Sequence, residues 1–158
     1  MIVFKKQSLD ENTVNQLVRL SERWVEEDCC WGMVANLKED LSTPLYVALE
    51  GDLIVGYAFG HFEITEKKTS YIEIGEKCFY LDELYVLPNY RNQGIGKELF
   101  RLLEEEVKND CQYLTLSTST KDYKKVLHFY VEELDMTFHS AFLIKALSRL
   151  STDFYQEV

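Results

Sequence analysis

The stretch from Leu81 to Lys97, LDELYVLPNYRNQGIGK, constrains this chain most: it reads as a strand that feeds a glycine-bearing turn and opens into a helix. Its first half is rich in Leu, Tyr and Val, and Pro88 ends it by removing a backbone donor. From Gly94 to Lys108 the positions Ile95, Leu99, Leu102, Leu103 and Val107 form an apolar stripe opposite Lys97, Glu98, Arg101, Glu104 and Glu105, the pattern of an amphipathic helix. The first turn of such a helix presents unpaired backbone N–H groups and the positive end of the helix dipole, and glycine lets an anion approach without meeting a Cβ. A diphosphate is the expected guest, held mainly by main chain. Two nucleotide fingerprints are excluded by residue. G-x-x-x-x-G-K-[ST] needs Gly at Arg91 and Ser or Thr at Glu98, and G-x-G-x-x-G/A needs a small residue at Leu99.

The rest of the chain predicts a mixed α/β order in one domain spanning 1–158, since no repeat, low-complexity tract or Pro/Gly/Ser linker divides it. Ile2 to Lys6 reads as a strand. Ser8 or Asp10 caps a helix whose apolar positions are Val14, Leu17, Val18 and Val25, and a second short helix is expected over Val34 to Leu41. Leu45 to Glu50 and Leu53 to Ile64 predict a hairpin about Gly51-Asp52. A polar connection, Lys67 to Glu76, leads to a strand from about Cys78 to Leu87, with a turn over 88–93. Tyr113 to Leu116 reads as a strand, Asp122 to Glu133 as a helix and Thr137 to Leu147 as a last strand, whose exposure leaves room for a homodimer.

Charge and cysteine usage narrow the function. A formal net charge of −10 argues against a protein that grips nucleic acid through its phosphates. Residues 9–50 hold nine acids against three bases, whereas Arg91, Lys97, Arg101, Lys108, Lys121, Lys124 and Lys125 are concentrated between 91 and 125. One end suits cations and the other anions. Cys29, Cys30, Cys78 and Cys111 have no zinc spacing, so no metal is expected and reduced thiols fit best. His61, His128 and His139 show no mutual spacing for a metal or a triad, and packing or surface roles are expected of them. No apolar run approaches a bilayer span and the start lacks a secretory h-region, so a cytoplasmic protein without membrane contact is expected.

The pattern R-x-x-G-x-G at Arg91, Gly94 and Gly96 follows a strand ending in Tyr85-Val86 and a lead-in of Pro88 and Tyr90, and Phe129-Tyr130 lies downstream. Together these resemble the GNAT superfamily of N-acetyltransferases, over residues from about 44 to 147. The resemblance implies a central mixed, mostly antiparallel sheet flanked by helices, with acetyl-CoA as co-substrate and direct attack by a primary amine. Its cofactor positions fall on Leu84, Val86, Arg91, Asn92, Gln93, Gly94, Ile95, Gly96 and Lys97, with main chain of the Leu84–Val86 stretch donating to the thioester carbonyl. Lys121, Lys124 and Lys125 are further candidates to approach the cofactor phosphates.

Strand alternation puts Tyr80, Asp82, Leu84 and Val86 on one face and Leu81, Glu83, Tyr85 and Leu87 on the other, so one acid alone is expected to face the amine. The resemblance favours Asp82 over Glu83, and a bulge would swap the faces. Either carboxylate also suits orienting a cationic substrate or pairing with a lysine. Tyr130 falls on an apolar stripe with Leu127, Val131 and Leu134, which reads as core; the resemblance implies instead that its phenol protonates the departing thiolate. Tyr123 stands where many family members have Asn, and Asp135 where many have Gly, a position Asp can fill in the left-handed conformation. The resemblance also implies that the acceptor is held near Glu26 to Trp31. Trp24, Glu27, Asp28 and Trp31 then suit a cationic small molecule of polyamine or aminosugar type. A protein N-terminus or lysine as acceptor, and a non-catalytic CoA-binding regulatory module, stay open.

Overall fold

A computed structural model describes residues 1–145 and 147. Its centre is a five-stranded sheet in the order β1 (Ile2–Lys6), β2 (Leu45–Glu50), β3 (Leu53–Ile64), β4 (Lys77–Val86) and β5 (Tyr113–Thr115). The first four strands run antiparallel, and β4 and β5 run parallel. The β2–β3 hairpin turns at Gly51-Asp52, as its sequence predicts. Two helices pack on the sheet: α1 (Glu11–Glu26), whose Asp10 cap accepts from the Thr13 N–H at 2.8 Å, and α2 (Ile95–Val107), which supplies the crossover from β4 to β5. A short α3 (Tyr123–Leu127) continues into a π-helical turn over His128–Glu133. Among the described residues no helix is long and apolar enough to cross a membrane.

The core lies on both faces of the sheet. Tyr57 and Phe59 of β3 stack toward the α1 side, where Trp24 stacks on Tyr85 at 5.1 Å. Ile95, Leu99, Leu103 and Val107 carry the predicted stripe of α2 into the other layer, all at most 3% exposed. Two expectations fail. Val34 to Leu41 forms only a single 3-10 turn over Lys38–Asp40, because few of its apolar residues find a surface: Val34 and Leu37 stay exposed. Thr137 to Leu147 forms no strand among its described residues, Ala146 lying outside them, and Phe142, Leu143 and Leu147 are exposed. β-Propensity there finds no ladder partner in a single chain.

Candidate functional site

Three features of β4 build the site. The parallel ladder to β5 holds only for Cys78, Phe79 and Tyr80, so beyond Tyr80 the two strands part while β4 continues to Val86. The Leu87 N–H bonds the Val55 carbonyl at 2.9 Å, and alternation along the strand therefore turns the Val86 N–H away from β3, toward the opened side. The Val86 carbonyl on that side accepts from Arg91 Nε at 2.8 Å.

The third feature is a bulge. Phe59 pairs with Glu83 and Gly60 with Leu81, leaving Asp82 as the extra residue of β4. The bulge needs close backbone approach, since a Cβ on Gly60 would run into the Tyr80 carbonyl and the Phe79 ring. It overturns the strict alternation expected from sequence: Asp82 and Glu83 now both line one cavity of about 650 Å3, while Leu84 turns toward Gly96 of α2. The two acids thus share one cavity instead of lying on opposite faces as strict alternation predicts.

That cavity is walled by Val34 to Asn36, Glu39 to Ser42, Phe59, His61, Asp82 and Glu83. Asp82 Oδ2 is 2.9 Å from His61 Nδ1 and accepts from Ser42 Oγ at 2.8 Å. Glu83 accepts from the Tyr57 hydroxyl at 2.7 Å, and burial holds its carboxyl above the ordinary range despite that bond. The Tyr57 phenol is pushed well up by burial and by Glu83. Glu39, Asp40 and Ser42 arrive from the segment before β2, and the pattern that sequence reasoning missed is their meeting with His61. Position 61 lies on the predicted strand Leu53–Ile64, but the register that sets it beside Asp82 is tertiary.

At the head of α2, Gly94 has φ +78°, no side chain caps the turn, and no heavy atom lies within 4 Å of where a Cβ would stand. The first-turn N–H groups of Ile95, Gly96 and Lys97 thus have no side-chain cap. Asn92 also has a positive φ, Gln93 donates to the Asn89 carbonyl, and Lys97 is exposed. Arg91 turns inward: its guanidinium pairs with Glu27 at 2.8 Å and lies 5.5 Å over the Tyr85 ring. The π-helical turn packs on α2, with Phe129 against Gly96 and the Tyr130 ring edge-on to Phe100 at 6.3 Å. The Tyr130 phenol is pushed up to about 12 by burial, so it stays protonated at neutral pH. Asp135 closes that turn at φ +57°, the left-handed conformation expected of it.

Of the residues expected to hold the acceptor, none lines the acidic cavity. Glu27 serves Arg91 and the Tyr85 hydroxyl, Trp24 stacks on Tyr85, and Asp28 pairs with Lys121 at 2.6 Å. Lys121 also lies 4.7 Å from the Trp31 ring, and backbone bonds tie Trp31 to Ser119 and Cys29 to Lys121. The 27–31 segment is thereby fastened to the chain that leaves β5. Lys124 and Lys125 stay exposed. The four cysteines are free, and burial pushes the Cys30 thiol up to about 11. No group of three or more His, Cys, Asp or Glu suited to a metal occurs among the described residues.

A mixed, mostly antiparallel sheet with a parted parallel pair beside a helix start that no side chain caps defines an α/β protein whose α2 head has the backbone arrangement that suits an anion. The chain belongs to the acetyltransferase (GNAT) family, whose model matches residues 11–136. It is 30% identical over 90 residues to the thialysine N-epsilon-acetyltransferase of Mus musculus, a match covering 56% of this chain and 49% of that protein. The chain thus spans about half the length of that curated relative. Among solved structures it shares its fold with an aminoglycoside acetyltransferase from an uncultured soil metagenomic sample in complex with trehalose, at TM-score 0.66 and 18% identity over 93% of this chain and 97% of that one. A Trypanosoma brucei acetyltransferase matches at TM-score 0.66 and 19% identity, over 93% and 100% of the two chains. A predicted acetyltransferase with acetyl-CoA from Clostridium acetobutylicum matches at TM-score 0.66 and 19% identity, over 93% and 97%.

Proposed function

We propose that this protein is an N-acetyltransferase that moves the acetyl group of acetyl-CoA to the primary amine of a cationic small molecule of polyamine or aminosugar type. The observation that carries the reading is the acid-walled cavity at the β4 bulge, where Asp82 and Glu83, on the same strand that ends in the outward Val86 N–H, meet Glu39 and Asp40. The head of α2 fits the other substrate, since Gly94 borders open space and the following N–H groups lack a cap. In this reading main chain at Ile95, Gly96 and Lys97 grips the diphosphate, with Asn92 and Gln93 shaping the turn and Arg91 bracing it through Glu27. Leu84 and Val86 flank the thioester, whose developing oxyanion takes the Val86 N–H. Tyr130, whose ring packs against Phe100, donates a hydrogen bond from its phenol to the leaving sulfur. The acidic wall attracts the ammonium form of the acceptor and raises its local concentration. The relatives support the acceptor class by name, as one acts on thialysine and another on aminoglycosides.

Release of free thiol from acetyl-CoA, followed against a panel of polyamines, aminosugars, amino acids and peptides, tests this directly. Turnover is expected with small di- or polycations. Turnover only with peptides transfers the reading to a protein acceptor, and saturable acetyl-CoA binding without turnover favours a regulatory CoA-binding module. Gly94→Val is expected to fold while losing acetyl-CoA affinity by about tenfold or more, because a β-branched side chain suits neither the positive φ nor the anion's approach. Unchanged affinity in a titration calorimeter would remove the α2 head from the cofactor site.

A further inference from the structure

The proposed transfer leaves one requirement unmet, because a cationic amine must lose a proton before its nitrogen can attack. Sequence spacing offers only carboxylates for that task. The structure offers an imidazole. His61 of β3 reaches the cavity from the strand beside the bulge, its Nδ1 2.9 Å from Asp82 Oδ2, and its side chain is 45% exposed. Asp82 is itself held by Ser42 Oγ at 2.8 Å, so the carboxylate is anchored from a second element. Ser42 bonds the carboxylate and not the imidazole, so the trio has no contact that would activate the serine as a nucleophile.

We propose that His61 is the proton acceptor for the incoming ammonium, and that Asp82 is its positioning residue, holding the Nδ1–H tautomer so that Nε2 presents a lone pair to the cavity. This rests on the acetyltransferase reading given above. A carboxylate facing one ring nitrogen fixes the proton on that nitrogen, and it also stabilises the imidazolium that forms when the other is protonated. The charged and titratable groups around the ring are Asp82 and Glu83 on β4, Tyr80 at 5.8 Å on the same strand, and Glu39 and Asp40 from the turn before β2. They are acids or a phenol, and among the described residues no lysine or arginine lines the cavity beside the ring. Glu83 is engaged by Tyr57 and its carboxyl is raised, which makes it the poorer partner for Nδ1 and leaves Asp82 in that role.

The proton count closes. The acceptor enters as R–NH3+, His61 Nε2 takes one proton, and the proton passes to solvent through the exposed side of the ring. The neutral nitrogen forms a bond to the acetyl carbon, the carbon–sulfur bond breaks, and the sulfur leaves with a proton matched by the second one that the nitrogen sheds. One proton is released per amide formed.

The test joins a pH–rate profile to a tautomer measurement on the full chain, with acetyl-CoA and the best amine of the panel. His61→Gln is expected to lower kcat/KM at neutral pH by about a hundredfold, within the usual range for a lost general base, and the deficit is expected to shrink as rising pH deprotonates the amine unaided. A deficit equal at every pH would mark a structural role and overturn the proposal. Long-range 1H–15N correlation is expected to find neutral His61 protonated on Nδ1 in the wild type and to lose that tautomer in Asp82→Asn. A wild type protonated on Nε2 would overturn the proposal even with an active enzyme. Intact acetyl-CoA binding in His61→Gln is expected and separates a lost base from a lost fold. A wild type that acetylates no amine overturns the function itself, and this proposal with it.

Discussion

Glu83 shows how one side chain acquires properties that its identity does not supply. Burial holds its carboxyl above the ordinary range, while the Tyr57 hydroxyl bond and, further off, the charge of Asp82 pull in opposite directions. A folded-state value above the unfolded one means that the neutral acid is favoured by folding. Its contribution is complete below the unfolded glutamate range of about 4.3 and is lost as pH rises through the folded value. Glu83→Gln keeps an acceptor for Tyr57 and cannot ionise. Urea unfolding at a series of pH values is therefore expected to find the variant level with the wild type in acid and more stable at neutral pH. A difference of the same size at both ends would mean that Glu83 carries no titration-linked cost.

Among the elements, β4 illustrates why strand alternation is a local rule. A period of two predicts that adjacent acids face opposite ways, and the pattern of Tyr80 to Leu87 obeys it on paper. One extra residue at Asp82 breaks the period and brings both acids to the cavity. The bulge depends on Gly60, which lets β3 pass close to Tyr80 and Phe79. Gly60→Ala is expected to cost about 2 kcal/mol through forced displacement of backbone and ring, read as a lower urea midpoint at unchanged slope. A variant of wild-type stability would mean that the strands separate there without penalty. The helices behave differently. α1 and α2 follow their predicted apolar stripes, and α1 its Asp10 cap, because their pattern answers to a period set by their own hydrogen bonds.

For the molecule as a whole, charge is unevenly distributed along the chain. Glu39 and Asp40 of the acid-rich stretch 9–50 join Asp82 and Glu83 at the cavity, and the head of α2 has no side-chain cap. Attraction between the acidic wall and a polycation is screened by salt, whose Debye length falls from about 10 Å at 0.1 M to about 3 Å at 1 M. KM for a dicationic amine is thus expected to rise several-fold across that range, while kcat holds. A KM indifferent to salt would assign recognition to shape and apolar contact.

The strand–turn–helix from Leu81 to Lys97, the β2–β3 hairpin, the capped α1 and the glycine turn at the head of α2 were legible from the residues alone. Each is encoded by neighbours within a few positions, through helical period, turn chemistry and backbone freedom. The pairing of Arg91 with Glu27, the bulge at Asp82 and the approach of His61 join residues from separate elements, and no local period encodes a register between strands. The same limit undid the last strand, since Thr137 to Leu147 has the composition of a strand but not, within one described chain, the ladder partner that makes one. Local sequence thus determined most of the elements and the glycine-bearing turn that opens α2. Tertiary packing decided which side chains share the cavity, because a strand's faces and partners are set only when it meets its neighbours.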